Sequence, residues 1–180
     1  QCDLSPGSPI TTDDIVVAYA GNDDDLSDTL TWSFGWTVNN IADLTVTGDT
    51  YPSANTSHFD SVKVTCTAND GTADSNTMTA VAVLVQNSPP TEPSVAISPS
   101  SPQSNNNLVA AVTAASTDLD PEDSVSYTYV WQKNFAPSGQ SSSTVSSSQT
   151  IRGETWEVVI TPSDSYNNGP TGSDSVVIGN

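Results

Sequence analysis

The sequence predicts an all-β fold built from two tandem antiparallel β-sandwich domains joined by a short proline-rich linker. Three observations lead to this prediction. The two halves of the chain repeat one pattern at an offset of about 95 residues. Within each half, apolar and polar residues alternate in short runs, as they do in half-buried strands. Clusters of Asn, Asp, Gly and Pro separate these runs, and no stretch shows a convincing helical period.

The repeat is clearest where an acidic turn is followed by an aromatic strand. Residues 23–39 read DDDLSDTLTWSFGWTVN, and residues 118–134 read DLDPEDSVSYTYVWQKN. In both segments acidic residues occupy three matching positions first, an apolar run with a period of two follows, and an Asn closes the segment. An offset of this size matches one small β domain, so the duplication sets the architecture.

The domain boundary follows from the same correspondence. Residues 62–70 match residues 156–164, and the stretch SPPTEP lies between the two halves. Its prolines favour extended backbone and cannot continue a β-ladder, which suits a short, fairly stiff linker. The predicted organisation is domain 1 at 1–87, a linker at 88–93 and domain 2 at 94–180.

Each domain is expected to contain about seven short strands in two layers. Alternation of apolar with hydroxyl-bearing residues places the main strands at 30–38 and 62–66 in domain 1, and Leu44 with Val46 predicts a shorter one. The matching segments of domain 2 lie at 108–112, 125–131 and 156–160. The last strand of each domain is expected at 81–87 and 175–180.

With these motifs in place, each half resembles the immunoglobulin-like, PKD-like repeats found in tandem in large secreted bacterial and archaeal surface proteins. The matching motifs are DLDPED at 118–123, YTYVW at 127–131 and GETWEV at 153–158, which continues into TPSD. The resemblance covers nearly the whole chain, although Val62 stands where the second half has Trp156. It implies that Trp36 and Trp131 are core tryptophans between the sheets, whereas Trp32 and Trp156 lie in the core or near its rim. These motifs are specific for the fold and much less so for function.

The charge balance narrows the classes of partner. The formal net charge is −18, because 21 acidic residues face only Lys63, Lys133 and Arg152. Such a surface repels nucleic acid and anionic lipid, so we expect neither as a partner. No apolar run approaches the roughly 20 residues of a membrane helix, which argues against membrane insertion. The acidic, lysine-poor composition indicates a secreted protein that is extracellular or displayed at the cell surface.

The two cysteines predict a disulfide. Cys2 and Cys66 correspond to Val95 and Ile160 in the second half, so both positions are expected to face the core. A bridge that closes a loop of about 65 residues would contribute roughly 3–4 kcal/mol in the chain-entropy model. Two alternatives stay open, namely two buried free thiols and a bridge between neighbouring molecules.

Acidic turns predict calcium as the one candidate cofactor. Calcium takes six to eight oxygen ligands, and each turn places several carboxylates close together, with Asp70 or Asp164 able to add one from a neighbouring loop. The alternative is that these carboxylates only form side-chain-to-backbone turns in water. The candidate metal ligands are Asp118, Asp120, Glu122 and Asp123 in domain 2, and Asp23, Asp25 and Asp28 in domain 1.

Catalysis is not expected. The sequence contains one histidine, His58, so neither half can assemble a Ser-His-Asp triad or a histidine-rich zinc site. The carboxylates cluster on turns rather than across a cleft, which argues against glycoside hydrolysis. Asn55-Thr56-Ser57 is a candidate N-glycosylation site and would make the protein a glycoprotein.

Residues 80–85, AVAVLV, are apolar at every position, although the last strand of a solvated sandwich should alternate. This pattern predicts a self-association surface that includes Val81, Val83 and Val85. The leading hypothesis is therefore a structural subunit or stalk segment that associates with itself, head to tail, or with neighbouring domains in an extracellular fibre, pilus-like filament or surface layer.

The runner-up is an adhesin or carbohydrate-binding module that recognises glycans. It requires an exposed aromatic platform, for which the candidates are Trp32, Tyr51, Trp156 and Tyr166. A more remote possibility is ice binding, which requires flat rows of hydroxyls that include Thr29, Thr31, Thr45 and Thr47.

Overall fold

The chain divides into two all-β units in a computed structural model, which describes residues 1–23 and 29–180. Unit 1 comprises Gln1–Ser88 and unit 2 comprises Pro89–Asn180, so the division falls in the proline-rich stretch. In its described residues each unit has two antiparallel sheets with a hydrophobic core that draws on both. The predicted fold class is confirmed.

Unit 1 begins with an edge strand and builds its larger sheet around two long central strands. The smaller sheet has the order β1-β2-β5, and the larger has the order β4-β3-β6, with β7 and β8 both paired to the free side of β6. The strands are β1 (Cys2–Ser5), β2 (Ile15–Tyr19), β3 (Thr31–Val38), β4 (Ile41–Asp43), β5 (Thr50–Tyr51), β6 (Ser61–Asn69), β7 (Met78–Thr79) and β8 (Val83–Leu84).

Unit 2 repeats this plan. Its smaller sheet has the order β13-β10-β9 and its larger sheet the order β12-β11-β14-β15. Short 3₁₀ turns occupy equivalent places in the two units, at Ser53–Asn55 and Ser147–Gln149. The strands are β9 (Ser94–Ser98), β10 (Leu108–Ala114), β11 (Ser126–Lys133), β12 (Ala136–Pro137), β13 (Thr144–Val145), β14 (Thr155–Ser163) and β15 (Gly172–Val177).

The central strand pairs show why the alternating pattern predicted them. In β6 and in β14 every second residue is buried along the whole strand, because successive side chains of a strand point to opposite faces. The registers also match, since Trp36 lies opposite Val64 and Trp131 lies opposite Val158. The two units therefore share their interiors as well as their topology.

The core tryptophans are held in the same way in both units. Trp36 and Trp131 are fully buried, and Trp156 is also buried. Trp32 is only partly buried and packs at the edge of the unit 1 core. These positions agree with what the resemblance implied for Trp36 and Trp131, and they put Trp156 in the interior rather than at the rim.

The aromatic partner of the core tryptophan comes from a different strand in each unit. Tyr51 of β5 contacts Trp36 with ring centroids 5.2 Å apart, whereas Trp156 of β14 contacts Trp131 at 6.3 Å. The equivalent positions carry the small residues Val145 and Val62. Because a core must be filled to nearly constant density, the large and small side chains have changed places.

The strand predicted at Leu44 and Val46 is wrong. The hairpin after β3 turns through Asn39 and Asn40, which both have positive φ, so only Ile41–Asp43 continue the ladder. The Asp43 carboxylate then accepts a hydrogen bond from the Thr45 N–H and turns the chain away. Leu44 is 86% exposed as a result.

The interpretation of residues 80–85 as a two-faced apolar surface is also corrected. Val83 and Val85 belong to the core of unit 1, as does Ala80, so they are not available for self-association. Only Val83–Leu84 forms a strand in this stretch. Val81 remains a candidate because it is 84% exposed.

Candidate functional site

The disulfide joins the two sheets of unit 1. Cys2 lies in β1 of the smaller sheet and Cys66 in β6 of the larger one, and their sulfur atoms are bonded at 2.04 Å. Of the three possibilities considered for the cysteines, the structure has the bridge within the chain. Such a bridge is compatible with an extracellular location, where disulfides persist.

In unit 2, three carboxylates from two separate loops converge. Asp118 and Asp123 lie in the loop before β11, and Asp164 follows β14 directly. Because Ser126 pairs with Ser163, both loops lie at the same end of the sheet. One oxygen from each of the three carboxylates lies within 4.8 Å of the others.

Two of these carboxylates use one oxygen to shape their own loop. Asp118 Oδ1 accepts a hydrogen bond from the Asp120 N–H, and Asp164 Oδ1 accepts from the Tyr166 and Asn167 N–H groups. The other oxygen of Asp118, Oδ2, is buried and accepts no hydrogen bond in the part of the chain that is described. A divalent cation prefers such oxygens. Of the other predicted ligands, the Asp120 side chain is fully buried and Glu122 is exposed.

The acidic turn of unit 1 is described only in part. Asp25 and Asp28 lie outside the described residues, whereas Asp23 lines a cavity of about 480 Å³ with Asp70 and Asp74. The walls of this cavity include Trp32 and Met78. Asp70 also accepts hydrogen bonds from the Ala73 and Thr72 N–H groups, which lower its pKa.

The two ends of unit 2 differ chemically, whereas in unit 1 both ends carry carboxylates, including Asp60 beside the turn at Asn39. The acidic end of unit 2 carries Asp118, Asp123 and Asp164, and that of unit 1 carries Asp23, Asp70 and Asp74. The opposite end, here called the hairpin end, contains the turns at 39–40 in unit 1 and 134–135 in unit 2. The eight residues of β11 separate the two ends by roughly 24 Å, at about 3.4 Å per residue.

All three basic side chains lie toward the hairpin ends. Lys63 pairs with Thr37, two residues before the turn of unit 1. Lys133 is the last residue of β11, and Arg152 lies in the loop just before β14. Sequence reasoning missed this polarity because the basic residues are few and far apart in the chain.

Lys133 is held by an ion pair at the hairpin end of unit 2. Its Nζ lies 2.8 Å from Glu154 Oε1 and 5.4 Å from the centre of the Trp156 ring. Glu154 Oε2 accepts hydrogen bonds from the Trp156 indole and the Ile151 N–H. Burial alone would raise the pKa of Glu154, but the hydrogen bonds from Lys133, Ile151 and Trp156 outweigh it and lower the pKa.

A cavity of about 550 Å³ lies beside Lys133 and is lined in part by Pro137 and Gln149.

The hairpin turns of the two units differ in the residue at their second position. Asn39 and Asn134 each accept a hydrogen bond through Oδ1, from the Ser61 and Thr155 N–H groups. The next position, which also has positive φ, carries Asn40 in unit 1 and Phe135 in unit 2. Phe135 is 81% exposed.

The aromatic platform proposed for glycan binding is only partly present. Tyr51 and Trp156 are each 2% exposed, so both are core residues and the expectation for them is wrong. Tyr166 is 57% exposed in unit 2. Trp32 of unit 1 is partly exposed and packs against Tyr19 with ring centroids 5.1 Å apart.

The remaining candidate positions include exposed residues and the half-buried His58. Asn55 is exposed at the end of the 3₁₀ turn, so glycosylation there stays a prediction. His58 packs edge to face on Phe59 at 4.6 Å, before β6. Thr45 and Thr47 lie outside the strands, so the flat hydroxyl rows required for ice binding are not formed from these residues.

Comparison with known proteins gives similarities of fold alone. No protein-family model and no curated protein sequence matches the chain. Among solved structures, it is similar to a two-domain fibronectin type-III segment of chicken tenascin, at 9% identity and a TM-score of 0.47 over 98% of this chain and 97% of that one. The chicken interferon gamma receptor alpha chain gives 10% identity and a TM-score of 0.45, over 100% and 97%. The fibronectin(III)-like modules of Clostridium thermocellum CbhA give 11% identity and a TM-score of 0.31, over 99% and 94%.

The described residues also contain no helix with the length and apolarity needed to cross a membrane.

Proposed function

We propose that the chain is a structural, non-catalytic module of an extracellular fibre, pilus-like filament or surface layer, and that it associates with further copies of itself. The observation that carries the proposal is the duplicated interior. Trp36 and Trp131 lie in the same register and donate their indole N–H groups to equivalent carbonyls, 2.9 Å and 2.8 Å away. Duplicating such a core extends the module by a second stable unit.

The chemistry of the surface supports this role. The clustered carboxylates lie in turns, where Asp70 and Asp164 hold the main chain through short hydrogen bonds. The Cys2–Cys66 bridge ties the two sheets of unit 1 together and suits an oxidising environment. The net charge of −18 keeps the module soluble until a specific contact forms.

Sedimentation velocity over a wide range of protein concentration, with and without calcium, tests the self-association. The expected result is a sedimentation coefficient that rises with concentration as copies add to one another. A coefficient that stays at the monomer value at every concentration, in both conditions, would contradict the proposal.

A calcium ion at the acidic end of unit 2 is proposed as the cofactor of this module. Asp118, Asp123 and Asp164 would supply carboxylate oxygens from two loops, and water or main-chain carbonyls would complete the six to eight ligands. Support comes from the buried oxygen Asp118 Oδ2. The ion would fix the loop before β11 to the loop after β14.

Calorimetry with calcium tests this ion. Millimolar calcium should raise the unfolding temperature of unit 2, and Asp118→Asn should abolish the rise. Glu122→Gln is the matched control, because this exposed carboxylate lies on the same turn outside the group of three. No calcium-dependent rise in the native chain, or an equal loss in Glu122→Gln, would refute the site.

The alternative function is an adhesin or carbohydrate-binding module of a larger secreted protein. The observation that favours it is the cavity of about 480 Å³ in unit 1, where Trp32 offers a stacking surface beside Asp and Asn side chains. A glycan array would give hits that Trp32→Ala removes. An array without hits would exclude this alternative.

A further inference from the structure

We propose that copies of this chain join head to tail, with the hairpin end of unit 2 seated on the acidic end of unit 1 in the next copy. This inference rests on the self-association proposed above and names the two surfaces that would form it. The hairpin end contributes Phe135, Ile151 and Arg152. The acidic end contributes the cavity bordered by Asp23, Asp70 and Asp74.

The first argument is charge. The segments 99–107 and 134–149, which include the turns and short strands at the hairpin end of unit 2, contain no acidic residue. Glu154 is neutralised there by Lys133 at 2.8 Å, which leaves Arg152 as a surplus positive charge. In a chain with a net charge of −18, a surface with a surplus positive charge is an exception. It is complementary to the acidic ends and should steer copies into one orientation.

The second argument is an exposed aromatic side chain on a strained backbone. A two-residue hairpin with positive φ at both positions favours Asn-Gly, yet unit 2 has Asn134-Phe135 with φ values of 48° and 66°. A bulky residue in this region is a genuine outlier. The turn of unit 1 uses Asn40, which tolerates the conformation. Unit 2 thus accepts strain and presents a Phe that is 81% exposed, which points to a functional contact.

The third argument is the shape and lining of the receiving surface. The cavity of about 480 Å³ in unit 1 combines an apolar wall, including Trp32 and Met78, with a rim that carries Asp23, Asp70 and Asp74. No Lys or Arg lines it among the described residues. The Phe135 ring would cover the apolar wall of this cavity, and Arg152 would meet a carboxylate of the rim or the Trp32 face.

A head-to-tail contact of this kind is heterologous, so it propagates into a filament unless it closes as a ring.

The decisive variant is Phe135→Gly, because its two expected effects are opposite in sign. Relief of the strained turn should raise the unfolding temperature of unit 2, whereas loss of the ring should weaken association at least tenfold in sedimentation velocity. Arg152→Glu should weaken association as strongly and leave the unfolding temperature nearly unchanged. A side chain with a merely structural role would lower stability and association together.

Two matched controls belong to the same series. Asn40→Gly alters the equivalent turn of unit 1, and Val81→Ser removes an exposed apolar side chain outside both surfaces. Both should associate like the native chain. Equal weakening by Val81→Ser would place the contact on the last segment of unit 1 instead and overturn the proposal.

Mixing two blocked chains tests the orientation. One chain carries Phe135→Gly with Arg152→Glu, and the other carries Met78→Lys with Asp74→Lys. Each alone should stay monomeric, and an equimolar mixture should give dimers that grow no further. A mixture that stays monomeric, or variants that assemble like the native chain, would overturn the proposed surfaces. The proposed self-association itself fails only if the native chain does not associate.

Discussion

Trp36 and Trp131 occupy the same position in the two units, and each donates its indole N–H to a main-chain carbonyl, that of Gly48 at 2.9 Å and that of Ser142 at 2.8 Å. Each bond reaches from the central strand of the larger sheet to the segment that leads into the smaller one. A buried indole needs such a partner, because an unpaired N–H in the interior is costly. The fold is therefore fixed at the same internal point in both units.

Replacement of either tryptophan by Phe should destabilise its own unit by about 2–4 kcal/mol. The loss combines the hydrogen bond, a carbonyl left without its partner and the space that the smaller ring does not fill. Chemical denaturation followed by circular dichroism measures it. Trp32→Phe, at a partly buried position, is the comparison, and a larger loss there than at Trp36 would contradict the assignment.

Substitution of Tyr51 should measure the contribution of the hydrogen bond that closes the loop between β4 and β5. Its hydroxyl donates to Asp43 Oδ2 at 2.6 Å. Burial, together with this bond and the Asp43 charge, raises the Tyr51 pKa. Tyr51→Phe should cost about 1–2 kcal/mol of unit 1 stability in denaturant unfolding.

An ultraviolet titration of the native chain gives a second readout of the same contact. Tyr51 should resist ionisation at a pH where a free tyrosine side chain is already charged. In Asp43→Asn the Tyr51 pKa should fall. A Tyr51 that ionises at the pH of a free tyrosine would contradict the buried contact.

Reduction of the disulfide should affect only one of two calorimetric transitions. Cys2 and Cys66 both belong to unit 1 and are separated by 64 residues. In the chain-entropy model, a loop of that size accounts for about 4 kcal/mol. A Cys2→Ala/Cys66→Ala variant should therefore lower the unit 1 transition and leave that of unit 2 in place. Equal shifts in both transitions would show that the units do not unfold separately.

The stability of unit 2 should depend on pH through Glu154. Its folded pKa lies below its ordinary value of 4.5, so its contribution is present above that value and is lost as the pH falls through the folded pKa. We expect the unfolding temperature of unit 2 to fall below about pH 4.5 more steeply in the native chain than in Glu154→Gln. Identical pH profiles would show that the Lys133–Glu154 pair does not contribute.

Strict alternation along the chain made the central strands predictable. The aromatic run at 30–38 and the run at 62–66 became β3 and β6, and their counterparts became β11 and β14. A period of two reports directly which face of a strand is buried. The core positions of Trp36 and Trp131 were implied by the resemblance to immunoglobulin-like repeats rather than by this alternation.

The predictions for the short segments were wrong because the local sequence pattern does not determine their structure. Val81, Val83 and Val85 look alike in sequence, yet only Val83 and Val85 reach the core once the chain bends beside β6. Leu44 lies outside a strand, because the hairpin turns at Asn39 and Asn40 and its ladder ends at Asp43. The polarity of unit 2 was invisible for a related reason, since the pairing of β11 with β14 is what brings Lys133 and Arg152 to the same end of the unit.

Negative-stain electron microscopy of the native chain at high concentration tests the structural role most directly. The proposal predicts filaments one molecule wide that lengthen with concentration and are absent in the Phe135→Gly/Arg152→Glu chain. Isolated particles of monomer size at every concentration would contradict it.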